Sequence, residues 1–222
     1  MRNLSPDPAR IERYAVAADR SRALASDLLM RRVVSGPILR TDGKQNIKPC
    51  TKHGVLFNVS HDEDIVVLGS HATISLGIDI MKIQISPGNK NCETMFSTLH
   101  AIFSKTEWAF INNDLARFYY LWTAKEAYVK CLGTGLFIEP QDIETFAWTQ
   151  RGSEWDIQIR NACNFKIKIL TNLVKEYVVA VCTGPVAECD ASWVSQIKLP
   201  VLETPIQYDI KVIEMHVDDL CQ

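Results

Sequence analysis

The stretch FYYLWTAKEAYVK, residues 118–130, is an apolar and aromatic run that carries three charges. Apolar residues recur at helical spacing from Leu115 to Leu132, and Gly133 follows, so one helix is predicted here. Glu126 and Lys130 stand four positions apart and share one face of that helix. A lone pair at this spacing is usually a solvent-exposed ion pair. On a helix that is otherwise this apolar, the pair more often faces a site.

The elements around this helix predict an α+β fold. Residues 8–35 have helical spacing, and Ser104-Lys105-Thr106-Glu107 has the pattern of a capping box that starts a short helix. β-branched and apolar runs predict strands at residues 55–60, 65–69, 73–81, 155–160, 165–170 and 177–182, the last three as an antiparallel meander. The order is helix, strands, helices, strands. It suggests two similar halves joined near residues 84–92.

Length and charge limit the function classes. The chain has 222 residues, 47% of them hydrophobic, and a net charge of -2, which argues against a general nucleic-acid binder. Residues 1–52, however, hold eleven Lys or Arg against five acids, a local charge of +6. This charge suits a compact polyanion, or it belongs to solvated helix faces.

Cysteine usage and the N-terminus bear on the compartment. The seven cysteines include no C-x-x-C pair, so neither a disulfide framework nor a zinc cluster is predicted, and a reducing compartment is favoured. Residues 1–10 are polar with two prolines, unlike a signal peptide. No apolar run approaches the ~20 residues that span a bilayer. We therefore expect a cytoplasmic protein that binds no membrane.

Two further segments could carry chemistry. Asp79 lies within an apolar strand, where a carboxylate must be paired or coordinate a cation, unless backbone amides hold it near a strand end. Residues 57–61 (FNVSH) run from a strand into a polar corner, which suits either a phosphate contact or a turn cap. Ser60 and His61 would point to opposite sides of an extended chain, which disfavours a Ser–His nucleophile pair. Two carboxylates, a lysine and basic groups together suggest a magnesium-dependent reaction at a phosphate.

Three motifs in this order resemble the 4'-phosphopantetheinyl transferase superfamily, in its larger, single-chain surfactin-synthetase type. They are FNVSH at 57–61, GID at 77–79 and WTAKEAYVK at 122–130, and residues 102–108 also resemble the family's segment before the catalytic helix. Residues 77–82 (GIDIMK) are similar to the animal members named for aminoadipate-semialdehyde dehydrogenase. The resemblance covers about residues 10–138, and the last third only by strand pattern.

The resemblance implies a pseudo-dimer of two similar α+β halves, each a small antiparallel sheet packed with helices, with the active site between them. The halves are residues 1–84, which would lack a first strand present in longer relatives, and residues 85–222. The implied reaction is Mg²⁺-dependent transfer of 4'-phosphopantetheine from coenzyme A to a serine of an apo carrier protein, releasing 3',5'-ADP. The alternative is a non-catalytic module that binds coenzyme A or a carrier protein.

The resemblance also implies residue roles. Asp79 and Glu126 would hold Mg²⁺, Glu126 would take the serine proton directly or through a water, and Lys130 would stabilise charge on the phosphate. Met81 stands where many bacterial relatives have a second acid, and it cannot ligate a hard cation. The residues expected to bind coenzyme A are Arg10, Arg22, Arg40, Lys44, Asn58, Val59, Ser60, His61, Lys125 and Lys130.

The expected partners are coenzyme A and an apo carrier, either a fatty-acid synthase carrier domain or an aminoadipate-reductase type carrier. We expect a monomer. Carrier recognition is expected on an exposed apolar surface near residues 95–120, including Phe96, Trp108 and Phe110, unless these aromatics are core.

Overall fold

The computed structural model describes residues 11–33, 38–39, 50–51, 55–135 and 138–189. Its fold is α+β, with helices packed on antiparallel sheets, as predicted. The helices are α1 (Ala17–Val33), α2 (Cys92–Thr98), α3 (Lys105–Ile111) and α4 (Leu115–Leu132). The strands are β1 (Ile38–Leu39), β2 (Cys50–Thr51), β3 (Leu56–Asp62), β4 (Ile65–His71), β5 (Ser75–Lys82), β6 (Thr145–Arg151), β7 (Glu154–Ile159), β8 (Lys166–Leu170) and β9 (Tyr177–Gly184).

The largest layer is a five-stranded antiparallel sheet of order β5-β9-β8-β7-β6, and α4 packs across it. Buried side chains of α4, among them Phe118, Leu121 and Ala127, meet the inner faces of β7, β8 and β9 in one apolar core. The closest approach is at Gly77 of β5, where an added Cβ would lie 2.0 Å from the carbonyl oxygen of Ala127. Glycine at this position therefore allows the helix to lie directly on the strand.

A second, smaller layer consists of the hairpin β3–β4 and helix α1. Side chains of β3 alternate between two faces. Phe57 and Val59 pack with Met30 of α1, while Asn58 and Ser60 face β5. The side-chain oxygen of Asn58 accepts a hydrogen bond of 2.8 Å from the backbone N–H of Ile78. The hairpin is thus joined to β5 by side chains, since β3 and β5 do not belong to one hydrogen-bonded sheet.

The ends of the helices follow the local sequence. Asp114 caps the start of α4 by accepting from two backbone amides, and Gly133 ends the helix with a positive φ of 77°. The predicted capping box of α3 is confirmed, because Ser104 and Glu107 each accept the other's backbone N–H. The predicted helix over 8–35 is shorter in the described residues, where α1 begins at Ala17. Strand β6 was not predicted.

The predicted boundary after residue 84 lies just beyond β5. That strand pairs with β9 over its whole length, from Ser75↔Gly184 to Lys82↔Tyr177, so the large sheet includes one strand from before the boundary. The division into halves 1–84 and 85–222 stays a prediction. In the described part of the chain, no helix combines the length and the apolar character needed to cross a membrane.

The aromatic residues expected on an exposed surface are mostly packed. Phe96 is buried in the main core, stacked on Phe118 with ring centroids 5.2 Å apart, so its predicted exposure is wrong. Trp108 is half-buried against the same rings, and Phe110 is half-buried against Trp148 at 4.5 Å. The ring-to-ring contacts of these aromatics explain why they face inward.

Candidate active site

Asp79 lies in the middle of β5 and is 4% exposed. Its Oδ1 atom accepts hydrogen bonds from the Ser60 hydroxyl at 2.8 Å and from the Lys130 ammonium at 2.5 Å. Its Oδ2 atom is buried and has no hydrogen-bond partner among the described residues. Burial raises the pKa of this carboxyl, and the charge of Lys130 opposes the rise. A buried carboxylate with one unpartnered oxygen is an arrangement that a bound cation would complete.

Lys130 comes from the last turn of α4 and reaches across to β3 and β5. Its ammonium donates to Asp79 and also to the Ser60 oxygen at 2.9 Å. The Ser60 hydroxyl therefore donates to the carboxylate and accepts from the lysine. Three elements that are distant in the chain are joined at this point, because Ser60, Asp79 and Lys130 lie in β3, β5 and α4.

Glu126 lies one helical turn before Lys130, on the same side of α4. Burial raises the pKa of its carboxyl, the nearby charge of Asp79 raises it further, and Lys130 opposes both. The two carboxylates therefore lie within range of each other's charge. Two close carboxylates that both resist ionisation are typical of a cation site or of a general base.

A guanidinium and an imidazole, those of Arg22 and His61, act electrostatically on one another beside this cluster. His61 is exposed, and its pKa is lowered by partial burial and by the charges of Arg22 and Lys130. Arg22, on α1, donates to the backbone carbonyl of Glu63 at 2.9 Å and pairs with Asp19. The charges of Arg22 and Lys130 both act on His61, and this concentration of positive charge suits an anion such as a phosphate.

The side chain of Lys125, also on α4, lies in the protein core and makes no contact with the cluster of Asp79, Ser60 and Lys130. Its ammonium is buried and donates to Glu107 at 3.0 Å, to the carbonyl of Ile102 at 3.0 Å and to the carbonyl of Pro140 at 3.1 Å. All three N–H donors of the ammonium therefore have protein acceptors. The side chain packs into the core in this structure, which disfavours the predicted contact of Lys125 with coenzyme A, and that contact stays a prediction.

Sequence reasoning missed the partner of Lys125. Glu107 is 1% exposed and is fully hydrogen-bonded: Oε2 accepts from Lys125 and from the Ser104 amide, and Oε1 accepts from the amide and hydroxyl of Thr145. The capping-box pattern located Glu107, but it did not show that the carboxylate also binds α4 and β6. The ion pair connects α3, α4 and β6 in the core.

The remaining predicted contacts divide into two groups. Asn58 and Ser60 face β5, while the Val59 side chain packs toward α1 and could offer only its backbone to a ligand. Arg10, Arg40 and Lys44 lie outside the described residues, so their roles stay predictions.

The donor set of the cluster fits a hard divalent cation. Mg²⁺ prefers oxygen ligands and is usually held by one or two carboxylates together with phosphates and water. Asp79 and Glu126 supply two carboxylates, and Oδ2 of Asp79 is an unpartnered oxygen. Within the described ranges, no three or more His, Cys, Asp or Glu side chains are placed so that they could hold a metal ion together, so the two acids would need water or substrate oxygens as further ligands. Met81 contributes no oxygen here, and its side chain packs against the main core.

Comparison with known proteins shows which family the segment around this site is similar to. Residues 75–182, which include β5, α4 and most of β9, match the sequence model of the 4'-phosphopantetheinyl transferase superfamily. This match contains Asp79, Glu126 and Lys130. The resemblance to the superfamily that the sequence predicted is therefore confirmed, and the surfactin-synthetase type stays a prediction.

Individual relatives agree with this family. The chain is 34% identical over 158 residues to the L-aminoadipate-semialdehyde dehydrogenase-phosphopantetheinyl transferase of Xenopus laevis, covering 61% of this chain and 51% of that protein. It is 33% identical over 148 residues to the phosphopantetheinyl transferase of Thraustochytrium sp., covering 57% and 51%. The chain spans about half the length of these curated relatives. Among solved structures, the holo-acyl-carrier-protein synthase of Thermotoga maritima matches 51% of this chain and 64% of that chain, with a TM-score of 0.37 and 16% identity.

Proposed function

We propose that this protein transfers 4'-phosphopantetheine from coenzyme A to a serine hydroxyl of an apo carrier protein and releases 3',5'-ADP. The observation that carries the proposal is the cluster of Asp79, Glu126 and Lys130 inside the segment that matches the family. In the reaction, a bond forms between the serine oxygen and the phosphorus that carries pantetheine. The bond from that phosphorus to the bridging oxygen of the pyrophosphate breaks, and the serine proton passes to a base.

Asp79 and Glu126 would hold Mg²⁺ together with oxygens of the pyrophosphate. A bound Mg²⁺ would supply positive charge next to the phosphate oxygens, where negative charge builds up during transfer. The unpartnered Oδ2 of Asp79 and the electrostatic proximity of Glu126 support this assignment.

Glu126 would accept the proton of the carrier serine, directly or through a water. Burial and the charge of Asp79 raise the pKa of its carboxyl, and a carboxylate with a raised pKa is a stronger base than an exposed one. Glu126 has no hydrogen bond to another described side chain, which leaves its oxygens available to a hydroxyl or a water.

Lys130, His61 and Arg22 would bind the phosphates of coenzyme A, with Ser60 as a further hydroxyl. Lys130 would also stabilise the charge that develops on the phosphate under attack or on the leaving group. Burial and then the charges of Arg22 and Lys130 lower the pKa of His61, so the imidazole lies within the field of two positive groups, where an anion would be attracted. Arg10, Arg40, Lys44, Asn58 and the backbone of Val59 complete the proposed coenzyme A site.

We also propose that the fold is a pseudo-dimer of two similar α+β halves, 1–84 and 85–222, with the site between them. The packing of α1 on the hairpin β3–β4 has a counterpart in the packing of α4 on the large sheet, which supports this arrangement. The site residues come from both parts, since Ser60 and Asp79 precede the boundary and Lys130 follows it. The protein would act as a cytoplasmic monomer.

The proposed acceptor is a carrier domain of a fatty-acid synthase or of an aminoadipate reductase. The names of the animal relatives support the second class. A panel of apo carriers, each incubated with the full chain, coenzyme A and Mg²⁺, tests both. We expect a mass gain of one phosphopantetheine on at least one carrier, with release of 3',5'-ADP.

The controls separate catalysis from folding. Asp79→Asn and Glu126→Gln should each abolish the mass gain. Glu154→Gln removes a carboxylate from an ion pair with Lys168 on the far strands of the same sheet, and it should leave transfer unchanged. If no carrier gains mass at any enzyme concentration while coenzyme A binds tightly, the protein is a binding module and the proposed activity is wrong.

A further inference from the structure

Lys130 stands where the proposed function needs positive charge for two different partners. Its ammonium lies 2.5 Å from Oδ1 of Asp79 and 2.9 Å from Ser60. The Asp79 side chain is 5% exposed and that of Lys130 is 30% exposed, so the lysine connects a buried carboxylate to the surface. In the ligand-free protein, this lysine is therefore the counter-charge that allows Asp79 to be ionised in the interior.

A divalent cation would compete with this arrangement. The cation would use Asp79 and Glu126, and it would then stand beside the Lys130 ammonium, so that two positive centres repel each other. The repulsion is strong because the site is mostly buried and is screened little by solvent. The Lys130 side chain is 30% exposed, and its charge acts on His61 together with that of Arg22, so a phosphate bound beside these groups would offer the ammonium a second partner.

We propose that Lys130 is the resident counter-ion of Asp79 in the metal-free protein, and that it moves from Asp79 to a ligand diphosphate when a divalent cation binds. The inference rests on the proposed function for the identity of the two ligands. Ser60 keeps its hydrogen bond to Asp79 in both states, because it donates to the carboxylate independently of the lysine.

Cooperativity follows from this exchange. A diphosphate that attracts Lys130 leaves Asp79 without a counter-charge, and a divalent cation supplies one. Each ligand therefore lowers the cost of binding the other, and the coupling must be reciprocal. A neutral side chain at position 130 would remove this part of the coupling and would leave only the direct contact between cation and diphosphate.

The first test is the affinity for Mn²⁺ alone, measured by calorimetry on the full chain without coenzyme A or carrier. Lys130→Gln keeps an N–H donor for Asp79 and Ser60 but removes the charge, so the fold should be retained, and circular dichroism checks it. We expect this variant to bind Mn²⁺ at least about tenfold more tightly than the wild type, because the repulsion is gone. Lys130→Arg and the matched control Lys168→Gln should stay within about twofold of the wild type.

The second test repeats the titration in the presence of inorganic pyrophosphate. For each protein, the pyrophosphate effect is the ratio of its Mn²⁺ affinity with pyrophosphate to its Mn²⁺ affinity without it. We expect this ratio to be at least about fivefold larger for the wild type than for Lys130→Gln. Equal or weaker Mn²⁺ binding by Lys130→Gln, an equal pyrophosphate effect in both proteins, or no Mn²⁺ binding by either protein would each overturn the inference.

These results are independent of the transfer reaction. A protein that shows the expected Mn²⁺ affinities but modifies no carrier retains the inference and loses the proposed function. A protein that modifies a carrier while Lys130→Gln binds Mn²⁺ like the wild type retains the function and loses the inference.

Discussion

Replacing Gly77 by alanine should separate the two elements that build the site. A Cβ at this position would lie 2.0 Å from the carbonyl oxygen of Ala127 and 2.3 Å from the backbone nitrogen of Cys131. Both atoms belong to the backbone of α4, so no side chain can rotate away. Real Cβ contacts do not fall below 3.0 Å, so the helix must retreat from β5 by about 1 Å.

Gly77→Ala should lower both the stability of the fold and the turnover of the enzyme. Forcing a methyl group into a packed contact costs about 3 kcal/mol when the backbone must move, the upper end of the usual range for overpacking. For a protein of this size, that loss lowers the melting temperature by roughly 6–12 °C. The same displacement moves Glu126 and Lys130 away from Asp79, and an error of about 1 Å at reacting groups can reduce turnover ~100-fold.

Thermal unfolding and a transfer assay on the folded variant measure the two losses separately. Gly69→Ala is the matched control, since the one close contact of its Cβ would be the tip of the Leu76 side chain, at 2.7 Å, and that side chain can move. We expect the control to lose less than half as much stability and to keep its activity. If Gly77→Ala melts at the same temperature as Gly69→Ala, the close packing of α4 on β5 does not hold the site together.

The remaining predictions concern the buried charges. Lys125→Met should destabilise the fold by about 3–5 kcal/mol in chemical denaturation because Glu107 is left buried and unpaired, and adding Glu107→Gln should recover most of the loss. A single variant as stable as the double variant would contradict this. Asp79→Asn should melt at or above the wild-type temperature at pH 7, since burial raises the pKa of the native carboxyl. Asp79 and Glu126 have folded pKa values above their unfolded values. Between the folded and the unfolded pKa, the native state binds more protons than the unfolded state, so the wild type gains stability as the pH falls through this range. The advantage of Asp79→Asn should therefore shrink as pH falls, and a constant difference from pH 7 to below the unfolded pKa would refute the assignment.

The helices could be predicted well from local signals. The apolar spacing of residues 115–132 and the glycine at 133 gave α4 its correct bounds, because the capping chemistry at both ends is encoded locally. The capping box of α3 is likewise local, since both partners lie within four residues. The strands of the meander followed from their β-branched runs.

Other features depend on tertiary contacts that no local pattern contains. Strand β6 has a register shift between Phe146 and Thr149, and Ala147 has a positive φ of 52°, so its side chains do not alternate regularly. The direction of Lys125 could not be predicted either. Lys125 and Glu126 are adjacent, so they point about 100° apart on the helix, and only the packing of α4 decides which one faces the site.

The same packing explains how the fold tolerates two buried carboxylates next to each other. Their burial costs free energy, and the raised pKa of each group records that cost. The protein offsets it with one lysine on the site side, Lys130, and holds α4 in place with a separate, fully satisfied ion pair on the core side. Because the core-side pair leaves no oxygen without a donor, whereas the site-side pair leaves Oδ2 of Asp79 without one, only the site-side pair gains from an added cation. The two lysines of one helix thus have different roles: Lys125 fixes the position of the helix, and Lys130 remains able to exchange partners.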